Sequence, residues 1–207
     1  MADTVELGLF PLGIALLPGE RVPLHIFEPR YRRLVADCTL EQTPFVLLLE
    51  TSSGTARVGC TARFETLLRR FADGRMNLVA AGIEPVEIVE PTRGRRYRTA
   101  RVRPLPDAPS APHPALRDEV LALFRDLAAR VTGAPRGPEV PEGVPLSYAV
   151  AAALDLAPEA KQDLLERREE ADRLARVRDV VELAQAGVDR ARMAAARAQR
   201  NGKLSAP

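Results

Sequence analysis

The sequence predicts an α+β fold, a small β-barrel followed by a bundle of helices, on three observations. Between Leu7 and Arg103 the apolar residues come in short runs punctuated by Gly, Pro and Asp, the pattern of a sheet-rich segment. Beyond Pro114 they fall at intervals of three and four, the spacing of one helix face. The stretch between them, 104–114, holds five prolines and lacks too many N–H donors for a helix or a central strand. The expected division is a barrel unit over 1–104, a proline-rich link over 105–114 and a helical unit over 115–207.

Strands are expected at 9–17, 22–27, 45–49, 58–64, 76–80, 86–89 and 97–102, short segments of the kind that close a small barrel. Asp73-Gly74 marks a hairpin, since glycine accepts the positive φ of a tight turn. One helix interrupts the strands: Pro29 suits its first position, Glu28 stands beside its positive end, and Tyr31, Leu34 and Val35 keep helical spacing to about Leu40.

In the second half, Leu116, Val120, Leu123, Phe124, Leu127 and Val131 form one helix face, and a Gly/Pro-rich loop follows over 133–145. Ser147 is expected to cap a short helix through its hydroxyl. A break at 155–158 precedes a helix from Pro158, with Lys161 on its polar surface. The last helix starts near Glu169 on the stripe Leu174, Val177, Val181, Ala184 and Val188. Past Val188 the stripe thins to Ala and Arg, including Arg190, Arg192, Arg197 and Arg200, so the tail is expected to fray.

Composition narrows the function. The 207 residues carry 30 basic and 28 acidic side chains, a net charge of +2, which gives no global field for nucleic acid or membrane. Any charged site is therefore local. Cys38 and Cys60 read as buried thiols, no apolar run is long enough to span a bilayer, and the acidic N-terminal residues do not read as a signal peptide. A reducing cytoplasm is the expected compartment.

No cofactor or metal motif is found. Gly202-Lys203 lacks the first glycine of a phosphate loop, Arg197 standing in its place. His25 with Glu20 and Glu28 reads as a solvent-facing strand histidine sooner than a metal site. Ser147 with Lys161 reads as a cap and a surface lysine sooner than a nucleophile and its base. One local feature remains, Arg93, Arg95, Arg96, Arg98, Arg101 and Arg103 around Tyr97, which is either a phosphate-contacting strand or an edge strand guarded by charge.

Several segments carry a resemblance. Leu9-Phe10-Pro11-Leu12, Leu17-Pro18-Gly19 and Val22-Pro23-Leu24-His25-Ile26-Phe27-Glu28-Pro29-Arg30-Tyr31 open the series. Val58-Gly59-Cys60-Thr61-Ala62, Asp73-Gly74-Arg75, Ala81-Gly82, Ser147-Tyr148-Ala149 and Lys161-Gln162-Asp163-Leu164-Leu165-Glu166 follow in order. Together they resemble the N-terminal substrate-binding domain of Lon proteases over residues 7–186. That resemblance implies a PUA-like β-barrel followed by a helical bundle; as an apolar residue, Phe27 is itself expected in the core. It further implies a noncatalytic module that binds polypeptide, since the chain stops before an ATPase or Ser-Lys peptidase domain would begin.

A groove between barrel and helices is the default docking place, with Glu28, Arg30 and Arg33 on one side and Tyr148 on the other. The alternative partner is RNA, on Arg95, Arg96, Arg98 and Arg101.

Overall fold

The computed structural model describes residues 4–109, 111 and 113–202. Five strands pair in a path that returns to its start. β1 (Val5–Leu12) lies between β3 (Phe45–Thr51), parallel to it, and β7 (Thr99–Pro104), antiparallel. β7 continues to β6 (Met76–Thr92), β6 to β5 (Val58–Arg70), and β5 back to β3, all antiparallel. Closing the ring leaves its strands no common open edge. The two-residue β4 (Gly54–Thr55), unforeseen in the sequence, folds back on the end of β3, and β2 (Arg21–Ile26) adds to the first half of β6.

Strand alternation divides the apolar residues between two cores. Leu7 and Leu9 of β1, Val46 and Leu48 of β3, Val86 of β6, and Ala100 and Val102 of β7 form a small cluster inside the ring. From β5 the ring interior receives Gly59, where a Cβ would stand 2.6 Å from the Leu47 carbonyl oxygen and the same distance from Leu48 Cδ2. Phe45, Leu47 and Leu49 point the opposite way, into a larger core shared with the helices. Most of the apolar burial therefore lies on the outer face of the ring.

α1 (Pro29–Glu41) starts with Pro29 in its first turn and ends where Gln42 turns left-handed (φ 53°), its N–H donating to the Cys38 carbonyl. It presses Tyr31, Leu34, Val35 and Cys38 onto the ring. α2 (Pro114–Thr132) lies against α5 (Glu170–Gly202), while α3 (Leu146–Ala152) and α4 (Pro158–Glu166) fill the space toward the strands. Val120 and Phe124 meet Leu174, Val177 and Val181 in the same core as Phe10 and Phe45.

Several expectations are corrected. The segment expected over 9–17 leaves the sheet after Leu12, and Ala15, Leu16 and Leu17 bury as irregular backbone. The two strands expected at 76–80 and 86–89 are one strand, β6, which exchanges its partner β2 for β7 near Pro85. Phe27 is 58% exposed rather than in the core, because the chain leaves β2 there to enter α1. Val131 is exposed in the last turn of α2. The final helix continues to Gly202, with Arg190, Arg192 and Arg197 exposed.

Cys38 and Cys60 are both free and buried, and burial pushes their thiols up to about 11 and about 12. The thiolate is the reactive form, so at pH 8 neither should react readily with a thiol reagent in the native protein. Counting modified thiols with a chromogenic disulfide checks this. Two per chain are expected after denaturation and none quickly before it.

Candidate functional site

The first half of β6 runs between β2 and the distal half of β5, forming a three-stranded flap that stands out from the ring. Its tip is the turn Phe71–Arg75, closed by the Phe71 N–H donating to the Arg75 carbonyl (2.8 Å) and the Gly74 N–H to the Phe71 carbonyl (3.0 Å). The Asp73 carboxylate accepts from the Arg75 backbone N–H (3.1 Å) and Arg75 Nε (2.7 Å), contacts that hold its carboxyl below the usual carboxylate range. Gly74 is required by its backbone conformation. Its φ is +84°, and a Cβ there would stand 2.7 Å from Arg32 Nη1.

Three rings gather at this end of the flap. His25 stacks on Phe27 with centroids 5.9 Å apart and meets Phe71 edge-on at 6.1 Å. The guanidinium groups of Arg69 and Arg75 lie over the Phe71 ring at 4.7 and 5.3 Å. His25 is exposed, as expected, its Nδ1 at 2.5 Å from Asn77 Oδ1.

Beside the tip, the start of α1 borders an open cleft of about 660 Å³ lined by Arg30, Arg32, Arg33, Arg96, Pro29 and Gly74, with Ala36 at its edge. Arg30 Nε lies 2.8 Å from Glu28, and its guanidinium sits 4.5 Å from the centre of the Tyr31 ring. Arg33 Nε lies 2.9 Å from Asp37. Arg32 ties helix to flap by donating from Nη1 to the Asp73 carbonyl (2.9 Å), while its Nε is shielded from solvent with no hydrogen-bond partner. Among the described residues Arg96 makes no ion pair.

The structure thus gathers Glu28, Arg30 and Arg33 of the sequence candidates at one place, and Tyr148 elsewhere. Tyr148 is 1% exposed, its ring under Arg173 at 4.4 Å and its hydroxyl 3.5 Å from the Leu164 carbonyl. The groove expected between strands and helices is filled there by side chains, so Tyr148 cannot touch a partner.

The arginines of 93–103 are mostly engaged within the chain. Arg95 forks onto Glu41 (2.8 and 3.0 Å) and reaches Asp37 (3.3 Å), which also accepts from the Tyr97 hydroxyl. Arg98 pairs with Glu50 (3.3 Å), Arg101 with Glu90 (2.7 Å) and Arg103 with Glu87. Of the four RNA candidates, Arg95, Arg98 and Arg101 are thereby neutralised, and Arg96 joins the cleft.

Ser147 and Lys161 engage different partners. Ser147 lies within α3, where Pro145 is the capping residue, and its hydroxyl donates to Glu170 Oε2 (2.5 Å) and accepts from Arg173 Nε (3.0 Å). Lys161 is half-buried and pairs with Glu20 instead of projecting from a polar surface. Among the described residues no cluster of metal-ligating side chains occurs.

Sequence reasoning assigned Phe27 to the core and gave no role to Arg32, Phe71 or Arg75. The Asp73-Gly74 signal located the turn, but an isolated phenylalanine does not declare which side of a sheet it leaves on.

Residues 6–182 match the family model of the ATP-dependent protease La (LON) substrate-binding domain. The chain is similar to a Lon protease of Paraburkholderia phytofirmans, 27% identical over 192 residues, covering 84% of this chain and 24% of that protein. It therefore spans about a quarter of that relative's length. Two solved structures share the fold. A Lon N-terminal domain protein from Xanthomonas campestris superposes with a TM-score of 0.64 at 24% identity, over 84% of this chain and 96% of the other. The N-terminal domain of a Lon protease of the Mycobacterium avium complex gives 0.69 at 18%, over 86% and 98%.

Proposed function

Since the chain belongs to the LON substrate-binding domain family, we propose that it is a polypeptide-binding module that docks its partner on the flap tip and the adjoining cleft. The observation that carries this reading is the group of exposed Phe27 and His25 with half-buried Phe71 beside them, framed by arginines. Aromatic and arginine side chains are the commonest energetic anchors of protein interfaces. The flap also leaves the outer edges of β2 and distal β5 without a strand partner among the described residues, so an extended chain has backbone donors and acceptors beside the rings.

The role proposed is recognition without cleavage. Ser147 and Lys161 are each committed to other partners, Glu170 and Glu20. A reducing cytoplasm suits the two buried free thiols. No described helix is long and apolar enough to cross a membrane.

The test is a peptide array and a native pulldown with the purified chain and with Phe27→Ala/Phe71→Ala. Two anchors at about 2 kcal/mol each would weaken binding by far more than tenfold. Phe27 is exposed, so its share of that loss cannot come from unfolding. Full affinity in the double variant would reject this surface, and failure to enrich any polypeptide would reject the function.

A further inference from the structure

The arginine-lined cleft has more cation than the chain itself neutralises. Four guanidinium groups, those of Arg30, Arg32, Arg33 and Arg96, border it. Glu28 answers Arg30, and Asp37 answers Arg33 while also serving Arg95. Arg32 and Arg96 have no carboxylate among the described residues.

The Arg32 Nε–H is shielded from solvent and has no hydrogen-bond acceptor, a costly arrangement. Its Nη1 is already bound to the Asp73 carbonyl, which fixes the guanidinium plane against the turn. α1 adds the positive end of its backbone dipole at the same place, where Glu28 at the N-cap is the one acidic neighbour and already pairs with Arg30.

From these juxtaposed features we propose that the cleft receives Asp or Glu side chains of the bound polypeptide. The preferred segment then carries a large apolar or aromatic residue for the flap tip and carboxylates next to it. Arginine forks match carboxylate geometry, and those of Arg32 and Arg96 would gain the counter-charge they lack. This rests on the polypeptide reading above and narrows it. Toward the 93–103 segment a phosphate backbone finds Arg95, Arg98 and Arg101 already paired within the chain.

The experiment uses the full chain and three fluorescent peptides with the same aromatic residues, flanked by Asp/Glu, by Asn/Gln or by Lys. Anisotropy titrations should show the acidic peptide binding at least tenfold more tightly than the amide peptide, and the lysine peptide weakest. The gap should shrink as salt is raised.

Arg96→Glu touches an exposed side chain with no ion pair, so it leaves the turn intact. It should erase most of the acidic preference, weakening the acidic peptide far more than the amide peptide. Arg32→Gln should do the same if its melting temperature stays native. Equal binding of acidic and amide peptides would overturn the inference and leave the polypeptide reading standing. Binding of none of the three would overturn both. Displacement of the acidic peptide by a single-stranded RNA of equal charge at lower concentration would assign the cleft to nucleic acid instead.

Discussion

Replacing Arg173 by methionine should lower the stability of the protein by about 3 kcal/mol. The Arg173 side chain has 0% exposure, and every direction of its fork is occupied. Nη1 and Nη2 donate to the two oxygens of Asp107 (2.7 and 2.5 Å), Nη2 to Glu170 (2.9 Å), Nε to Ser147 (3.0 Å) and Nη1 to the Arg167 carbonyl (3.0 Å). Burial alone would favour the neutral form, but Asp107, Tyr148 and Glu170 together outweigh it and hold the guanidinium's pKa above its ordinary value.

Methionine keeps much of the volume and removes every donor. Glu170 and Ser147 are then left with lone pairs facing protein, and the link between residue 107 and α5 is lost. Breaking a buried pair costs about 3–5 kcal/mol in general. The lower end applies here because Asp107 keeps 38% of its side chain in water and can rehydrate. Lysine should rescue little, having one ammonium where five fixed donors are used. Urea unfolding measures the loss, and a variant within 1 kcal/mol of the parent would show that the network is dispensable.

The second large effect is expected at Gly82. An added Cβ there would lie 2.2 Å from the Leu17 carbonyl oxygen and 3.0 Å from its carbon, with no flexible side-chain end to yield. The residue is also bonded on both sides of its peptide unit, its N–H to the Glu20 carbonyl (2.9 Å) and its carbonyl to the Gly19 N–H (3.0 Å). To admit a methyl group the turn at 17–20 must move off β6. That turn also carries Glu20, whose carboxylate accepts from the Leu17 N–H (3.0 Å) and pairs with Lys161 of α4.

Overpacking costs about 1–3 kcal/mol and each lost hydrogen bond about 1, so Gly82→Ala should lose about 3 kcal/mol or more. At this chain length that is a fall of roughly 6–12 °C in Tm. Gly13→Ala is the control. A Cβ at Gly13 meets nothing within 4 Å, so its Tm should move little. Equal shifts in the two variants would contradict the packing described at Gly82.

What the sequence disclosed follows the range of each interaction. Pro29 and Pro158 announced two helix starts because proline acts on its own backbone, while Pro114, read as the end of the link, also opens a helix. Asp73-Gly74 announced the flap turn for the same reason. Leu174, Val177 and Val181 declared the buried stripe of α5 by spacing alone. Contacts across 50 residues or more left no local mark. Arg95 on Glu41 and Arg173 on Asp107 look in sequence like ordinary solvated charges. The site divided the same way. Glu28, Arg30 and Arg33 were found through the neighbouring helix start, whereas Phe71 and Arg96 reach them only by folding.

The position of β1 between β3 and β7 bears on how the chain can be made. During synthesis β1 has one neighbour available once Thr51 has emerged, but its other neighbour is not complete until Pro104. Over roughly fifty residues of synthesis, several seconds at ordinary translation rates, β1 presents a free edge bearing Leu7 and Leu9. Slowing translation before residue 104 prolongs that exposure, and the nascent chain is most open to aggregation or chaperone capture in that interval.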